Sequence, residues 1–218
     1  MAPPRIVLLH ATPVAIPPIT AAFKVRWPEA ETVNLLDDSL SPDRARDGSL
    51  TPAMMDRFAS LGRYAHSIGA DGILVTCSAF GPAIERLARE LPIPVIKPNE
   101  AMFAQAVKAG DKIGMLATFR PTIETMDAEF REFTKENGLH ARIMTILVEG
   151  AMDKLRAGDA DAHNRLIGER AQELASMDAV MLAHFSTSSA LGVVSDRLSI
   201  PVFAAPEAAV DMMRAKLS

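Results

Sequence analysis

DGILVTCSAFGPAIERLARELPIPVIKPNEA, residues 71–101, returns later in the chain as DAVMLAHFSTSSALGVVSDRLSIPVFAAPEA, residues 178–208. The second copy begins 107 positions after the first, and that offset holds along both. Leu91 meets Leu198, Ile93-Pro94-Val95 meets Ile200-Pro201-Val202, and Glu100-Ala101 meets Glu207-Ala208. RIVLLHATP from Arg5 aligns with KIGMLATFRP from Lys112 at the same offset. Two copies fill the 218 residues. The period is too long for a solenoid unit, so the economical reading is duplication of a whole lobe.

Each copy alternates short apolar runs with longer amphipathic stretches. The runs RIVLLH (5–10), TVNLLD (32–37), GILVTC (72–77), PVIKP (94–98), KIGMLAT (112–118), ARIMTILV (141–148), AVMLAHF (179–185) and PVFAA (201–205) read as strands. Several are almost continuously hydrophobic, as strands are when helices cover both faces of a parallel sheet. Helices are expected over about 51–68, 82–90, 99–109, 121–137, 161–175, 188–197 and 206–216. Thr51-Pro52 supplies an N-cap with proline in the first turn, and Gly69 a stop. Ser39–Ser49 reads as a loop that either shapes or covers the cleft or merely connects. The pattern predicts an α/β fold of two similar lobes related by a pseudo-twofold axis. Each lobe is a mostly parallel sheet flanked by helices, with a cleft between the lobes. The boundaries are 1–110 for the first lobe, closed by the C-terminal helix at about 206–218, and 111–205 for the second.

Composition narrows the function. Hydrophobic residues make up 49% and charged residues 23%, which suits a globular chain. The net charge is -4 with no basic tract, which argues against nucleic acid as partner. No apolar run approaches the roughly 18 residues of a membrane span, and the start, MAPPRIVLLHATP, is too briefly apolar for a signal peptide. A single cysteine cannot form an internal disulfide, so a reducing, cytoplasmic setting is expected. No G-x-G-x-x-G or P-loop and no metal-ligand spacing occurs, so no nucleotide cofactor and no metal are expected.

That cysteine, Cys77, closes an apolar strand, and the repeat equates it with His184. Both stand at carboxyl strand ends, where open α/β sheets bind ligands. A thiol is a small core residue in most proteins. At a strand end before a helix N-terminus it is instead a candidate nucleophile or base. His184 is a candidate proton-transfer group, with hydrogen-bonded filler as the bland alternative. His10 reads as structural or supporting, and His66, His140 and His163 show no partner pattern.

LVTCSAFG in the first copy, MLAHFSTSS in the second and LAT after KIG resemble the aspartate/glutamate/hydantoin racemase superfamily, which also includes maleate isomerase and arylmalonate decarboxylase. The resemblance covers essentially the whole chain. It implies two duplicated α/β lobes and a cysteine after an apolar strand in each. His184 stands where the second cysteine is expected, so the two-thiol form of racemisation is not supported here. Phe119 stands where the decarboxylase carries a tyrosine.

The resemblance and the strand ends together nominate Cys77 and His184 as catalytic. Thr12, Ser78, Ala79, Thr118, Phe119, Arg120, Thr122, Phe185 and Ser186 are the candidate substrate-binding residues. Backbone N–H groups and hydroxyls there would hold a carboxylate, and Arg120 reads either as a clamp with two donors or as a solvent-facing arginine at a helix start. The implied activity is that of a cofactor-independent isomerase or racemase, working through Cys77 at the alpha carbon of a small carboxylate. A decarboxylase or lyase, or a non-catalytic carboxylate-binding protein, is the alternative. A homo-oligomer, dimer or tetramer, is expected.

Overall fold

A computed structural model describes residues 2–218. Contacts divide the chain into two compact units, Met1–Pro98 with Pro206–Ser218, and Asn99–Ala205. The first unit holds β1 (Arg5–His10), α1 (Ile16–Arg26), β2 (Glu31–Leu36), α2 (Leu40–Asp47), α3 (Pro52–Ser67), β3 (Gly72–Val75), α4 (Gly81–Glu90) and β4 (Val95–Ile96). The second holds α5 (Glu100–Ala109), β5 (Lys112–Ala117), α6 (Arg120–Glu136), β6 (Arg142–Leu147), α7 (Ala151–Arg156), α8 (Ala160–Ala171), β7 (Ala179–Leu182), α9 (Leu191–Ser195) and β8 (Val202–Ala204). The last helix, α10 (Ala205–Lys216), returns to the first unit. No helix among the described residues is long and apolar enough to cross a membrane.

Each unit has one four-stranded parallel sheet, ordered β2-β1-β3-β4 in the first and β6-β5-β7-β8 in the second. The registers repeat as well as the orders. Ile6 pairs with Gly72 as Ile113 pairs with Ala179, and Ile73 pairs with Val95 as Val180 pairs with Val202. Every one of these residues is displaced by the 107 positions found in the sequence. The central strands are buried on both faces, which is why they are apolar without alternation. Burial of each Leu or Ile in them contributes about 2 kcal/mol.

Duplication extends to a polar device at the start of each sheet. The Asp71 carboxylate accepts from the N–H of Arg5 at 2.7 Å, and that of Asp178 from the N–H of Lys112 at 2.8 Å. In the second unit the same oxygen also takes the N–H of Asp111. A Cβ on Gly110 would lie 2.4 Å from this pinned carboxylate, and Gly110 has φ of 157°, so only glycine fits there.

The structure moves one boundary and adds three helices. The first unit ends at Pro98, because α5 packs on β7 and β8 of the second. Its repeat counterpart α10 makes the reciprocal change: Arg26 binds Asp211 through two hydrogen bonds, and Met213 packs against Gly72. The added helices are α1, α2 and α7. Pro17-Pro18 disguises α1, although proline is tolerated in a first turn. The highly charged α2 lies within Ser39–Ser49, and α7 spans six residues. The ladder of β3 also stops at Val75, so Thr76 and Cys77 lie past its end.

Candidate active site

In the first unit, β1 and β3 end side by side, with Leu9 paired to Val75. Thr76 continues the pairing through its N–H to Leu9 C=O at 3.1 Å. Cys77 follows, in extended conformation (φ −129°, ψ 113°), as the residue that caps a 3-10 turn over Ser78–Phe80. α4 starts immediately after that turn. Ser78, Ala79 and Phe80 are buried and Cys77 is half-buried. Phe80 stacks on Phe58 of α3 with ring centroids 5.0 Å apart, which anchors the turn that carries the thiol.

Behind the turn lies a buried polar group. His10 is fully enclosed, with Nδ1 2.8 Å from Thr76 Oγ1 and Nε2 2.9 Å from Asn34 Oδ1. An amide oxygen only accepts, so Nε2 carries the proton and Nδ1 accepts from the threonine. Burial lowers the His10 pKa below the usual histidine value, against the raising effect of its Asn34 hydrogen bond. His10 is thus a neutral strut tying β1, β2 and the residue before Cys77. The second unit has alanines, Ala117 and Ala183, at the positions equivalent to His10 and Thr76. Asn34, a polar residue inside an apolar strand, was the sequence signal for this strut.

In the second unit, β7 stops at Leu182 and His184 occupies the place of Cys77. Its backbone is also extended (φ −132°, ψ 154°), and it likewise caps a 3-10 turn, Phe185–Ala190. Thr187 fixes it from both sides: the His184 N–H donates to Thr187 Oγ1 at 3.0 Å, and that hydroxyl donates to His184 C=O at 2.6 Å. The Phe119 N–H donates to His184 Nε2 at 3.3 Å, so Nε2 is unprotonated and the ring proton sits on Nδ1. Burial pushes the His184 pKa down to about 3, with a smaller push from His163. The residue is half-buried, yet both causes act in the same direction, and the imidazole is neutral at physiological pH.

Around His184 the second unit collects further predicted residues. Thr118 is buried, and its Oγ1 has no hydrogen-bond partner among the described residues. Phe185 and Ser186 are buried beside it in sequence, and Phe119 is half-buried under the guanidinium of Arg156, 5.8 Å from the ring centre. Thr122 is buried in the first turn of α6, where its N–H serves Phe119 C=O at 3.2 Å. Thr12 is half-buried at the start of the 3-10 turn that leads into α1. Arg120 takes the solvent-facing of its two readings. Its side chain is exposed and pairs with Glu149 at 2.9 Å, so it points to solvent, where opposite charges meet at low cost.

His163 departs from expectation. It is fully buried in α8, with Nδ1 2.8 Å from Asn164 Oδ1, and its Nε2 has no partner among the described residues. Asn164 Oδ1 accepts from Ser189 Oγ at 2.9 Å, linking α8 to the turn that His184 begins. Burial lowers the His163 pKa. Its spacing from Ile167 and Ala171, four and eight positions on, was the sequence signal that puts His163 on the buried face of α8.

A family model for Asp/Glu/Hydantoin racemase matches residues 16–213. The chain belongs to the Asp/Glu/Hydantoin racemase family. Racemases are enzymes, and membership places the chain among the isomerases. Solved structures of similar fold include a glutamate racemase from Bacillus anthracis, at 15% identity and a TM-score of 0.78 over 99% of this chain and 82% of the other. An allantoin racemase from Klebsiella pneumoniae shares 19% identity, with a TM-score of 0.71 over 97% of this chain and 86% of the other. An aspartate racemase from Picrophilus torridus shares 13%, with a TM-score of 0.73 over 98% and 94%. No curated protein sequence matches the chain. At these identities the solved structures establish the α/β fold with its paired parallel sheets, as the repeat predicts.

Proposed function

We propose that this racemase-family chain moves a proton at the carbon next to a carboxylate, with Cys77 as the proton-transferring group and His184 as a neutral hydrogen-bond donor. The observation that carries this reading is the pairing of equivalent strand-end positions: one holds a thiol, the other an imidazole whose Nε2 is occupied by the Phe119 N–H. The Cys77 thiolate takes the proton from the substrate carbon. The C–H electron pair moves into the carboxylate, which becomes an enediolate. Backbone N–H groups of the Ser78–Phe80 turn suit stabilisation of that charge, and the Thr118 hydroxyl and the Nδ1–H of His184 are the donors that the second unit carries at its equivalent strand ends. The thiol then returns the proton to carbon and the enediolate collapses to the carboxylate.

Racemisation by two bases needs a second proton donor for the opposite face. An imidazole held neutral down to about pH 3 does not supply one, and its basic nitrogen is already taken. The reading therefore favours proton exchange with retention on one face, or decarboxylation, in which the bond to a carboxylate breaks to release carbon dioxide and the Cys77 thiol delivers the proton to carbon. The absence of a second thiol also fits a non-catalytic carboxylate-binding protein. A panel of amino acids, hydantoins and malonates incubated in heavy water tests these readings. Deuterium entry by wild type with configuration retained supports the one-face reaction. Equal racemisation by wild type and Cys77→Ala contradicts it, and tight binding without exchange across the panel selects the binding protein.

A further inference from the structure

α8 packs on both the 3-10 turn that His184 caps and on α9, which continues that turn. Its first turn is fixed. The Asp159 carboxylate accepts from the Ala162 N–H at 3.0 Å, and the His163 N–H donates to Asp159 C=O at 3.1 Å. Further along, a Cβ on Gly168 would lie 2.7 Å from Val193, so the missing side chain lets α8 lie close on α9. His163 stands on this inner face at 0% exposure. An amide oxygen only accepts, so in the 2.8 Å bond to Asn164 Oδ1 the proton belongs to His163 Nδ1. The same Oδ1 takes the hydroxyl of Ser189 at 2.9 Å, 25 positions on. Three side chains therefore run from the interior of α8 to the turn that begins at His184.

An imidazole is a costly choice for this place. With its proton on Nδ1, His163 leaves a lone pair on Nε2 that is buried and has no hydrogen-bond partner among the described residues. A buried acceptor left unpaired destabilises, and an aliphatic side chain beside Ile167 and Ala171 would fill the same face without that loss. What the imidazole supplies in return is one directed donor. It sets the Asn164 amide with its oxygen toward Ser189, and burial keeps the ring neutral in this role. At the head of the turn the hold on His184 is finely set. Thr187 binds its backbone from both sides, but the ring is located by the Phe119 N–H at 3.3 Å, at the long end of the hydrogen-bond range. A small shift of the turn breaks that bond and frees the ring to exchange tautomers. We infer that His163 is a positioning residue for His184. Acting through Asn164 and Ser189, it holds the turn so that the His184 ring stays on the Phe119 N–H with its proton on Nδ1. The use of that proton as a donor rests on the proposed function, whereas the placement of the ring does not depend on it.

Amide hydrogen exchange followed by NMR reads the placement without turnover. The Phe119 amide should exchange about tenfold faster in His163→Leu than in wild type. Ser189→Ala cuts the same chain at an exposed side chain, so folding is not at stake, and it should give about a threefold increase. The Val148 amide, bonded to Ala117 C=O at 2.7 Å on the neighbouring strand, is the control and should not change. Imidazole nitrogen spectra, with His184→Gln to assign the signal, should show the single tautomer of wild type become a mixture in His163→Leu. His163→Asn keeps a neutral donor where Nδ1 stands and should restore both readouts. In the deuterium-exchange panel, His163→Leu should lower kcat about tenfold and leave KM in place. Wild-type exchange at Phe119 in both His163→Leu and Ser189→Ala overturns the inference. Equal acceleration at Phe119 and Val148 makes His163 a packing residue and also overturns it, as does a His163→Asn variant no better than His163→Leu. Faster exchange at Phe119 with unchanged kcat supports the positioning and contradicts the donor role of His184, so the two failures are told apart.

Discussion

Acidification probes the environment of His184 directly. In the folded chain the imidazole stays neutral down to about pH 3, while an unfolded chain takes up the proton near the ordinary value of 6.5. Between those values the unfolded state binds more protons, so stability is fully present above pH 6.5 and is lost as pH falls. Each tenfold change in proton affinity is worth about 1.4 kcal/mol, which sets the penalty at about 2 kcal/mol by pH 5. The residue keeps part of its surface, and water screens the charged form, so about 1 kcal/mol is the expected size. His10 and His163 act in the same direction, and the comparison must remove them. Urea unfolding of wild type and His184→Gln at pH 7.5 and 5.0 does so. Glutamine keeps a neutral donor without a titration, so wild type should lose about 1 kcal/mol more than the variant on acidification. Equal losses, or an imidazole NMR signal that titrates near 6.5, would refute the enclosed, neutral histidine.

His10→Leu removes the bonds to Asn34 and Thr76, but water can reach the exposed Asn34 and the Thr76 hydroxyl keeps Leu9 C=O at 3.4 Å, so a loss of about 1 kcal/mol in denaturant unfolding is expected. Gly110→Ala drives a Cβ into the Asp178 carboxylate that holds the N–H groups of Asp111 and Lys112. It should destabilise by about 2–4 kcal/mol, whereas Gly48→Ala, with nothing within 4 Å of the added Cβ, should cost about 1 kcal/mol through its positive φ alone. Thr118→Val removes the unpartnered hydroxyl, so apo stability should hold within about 1 kcal/mol while substrate turnover falls roughly tenfold in steady-state kinetics.

The duplication made the fold legible. A constant offset of 107 positions equated β1 with β5 and β3 with β7 before any coordinates, and the registers of the two sheets repeat accordingly, but the offset did not say which strands pair. The same offset put Cys77 and His184 in equivalent caps, and both are extended residues that open a 3-10 turn. What the repeat could not carry were features present in one copy. The His10–Thr76–Asn34 strut has no counterpart in the second unit, so alignment of the halves was silent about it. The burial of Arg44 in α2 was hidden for a different reason. A charged helix face predicts solvent, and only tertiary packing decides which one of several arginines turns inward. Arg120 was left open between a clamp and a solvent-facing arginine, because Glu149 lies 29 positions away and no local pattern reveals their pairing. The place of α5 in the second unit was readable in principle from its equivalence to α10, yet it required the chain path to be known.

The most direct test follows solvent deuterium into the alpha carbon of substrate carboxylates, by mass spectrometry and NMR, for wild type and Cys77→Ala side by side. Transfer by the thiol predicts incorporation by wild type and a loss of at least a thousandfold in the variant, with folding verified by circular dichroism. Incorporation at the same rate in both proteins would contradict a proton-transferring Cys77.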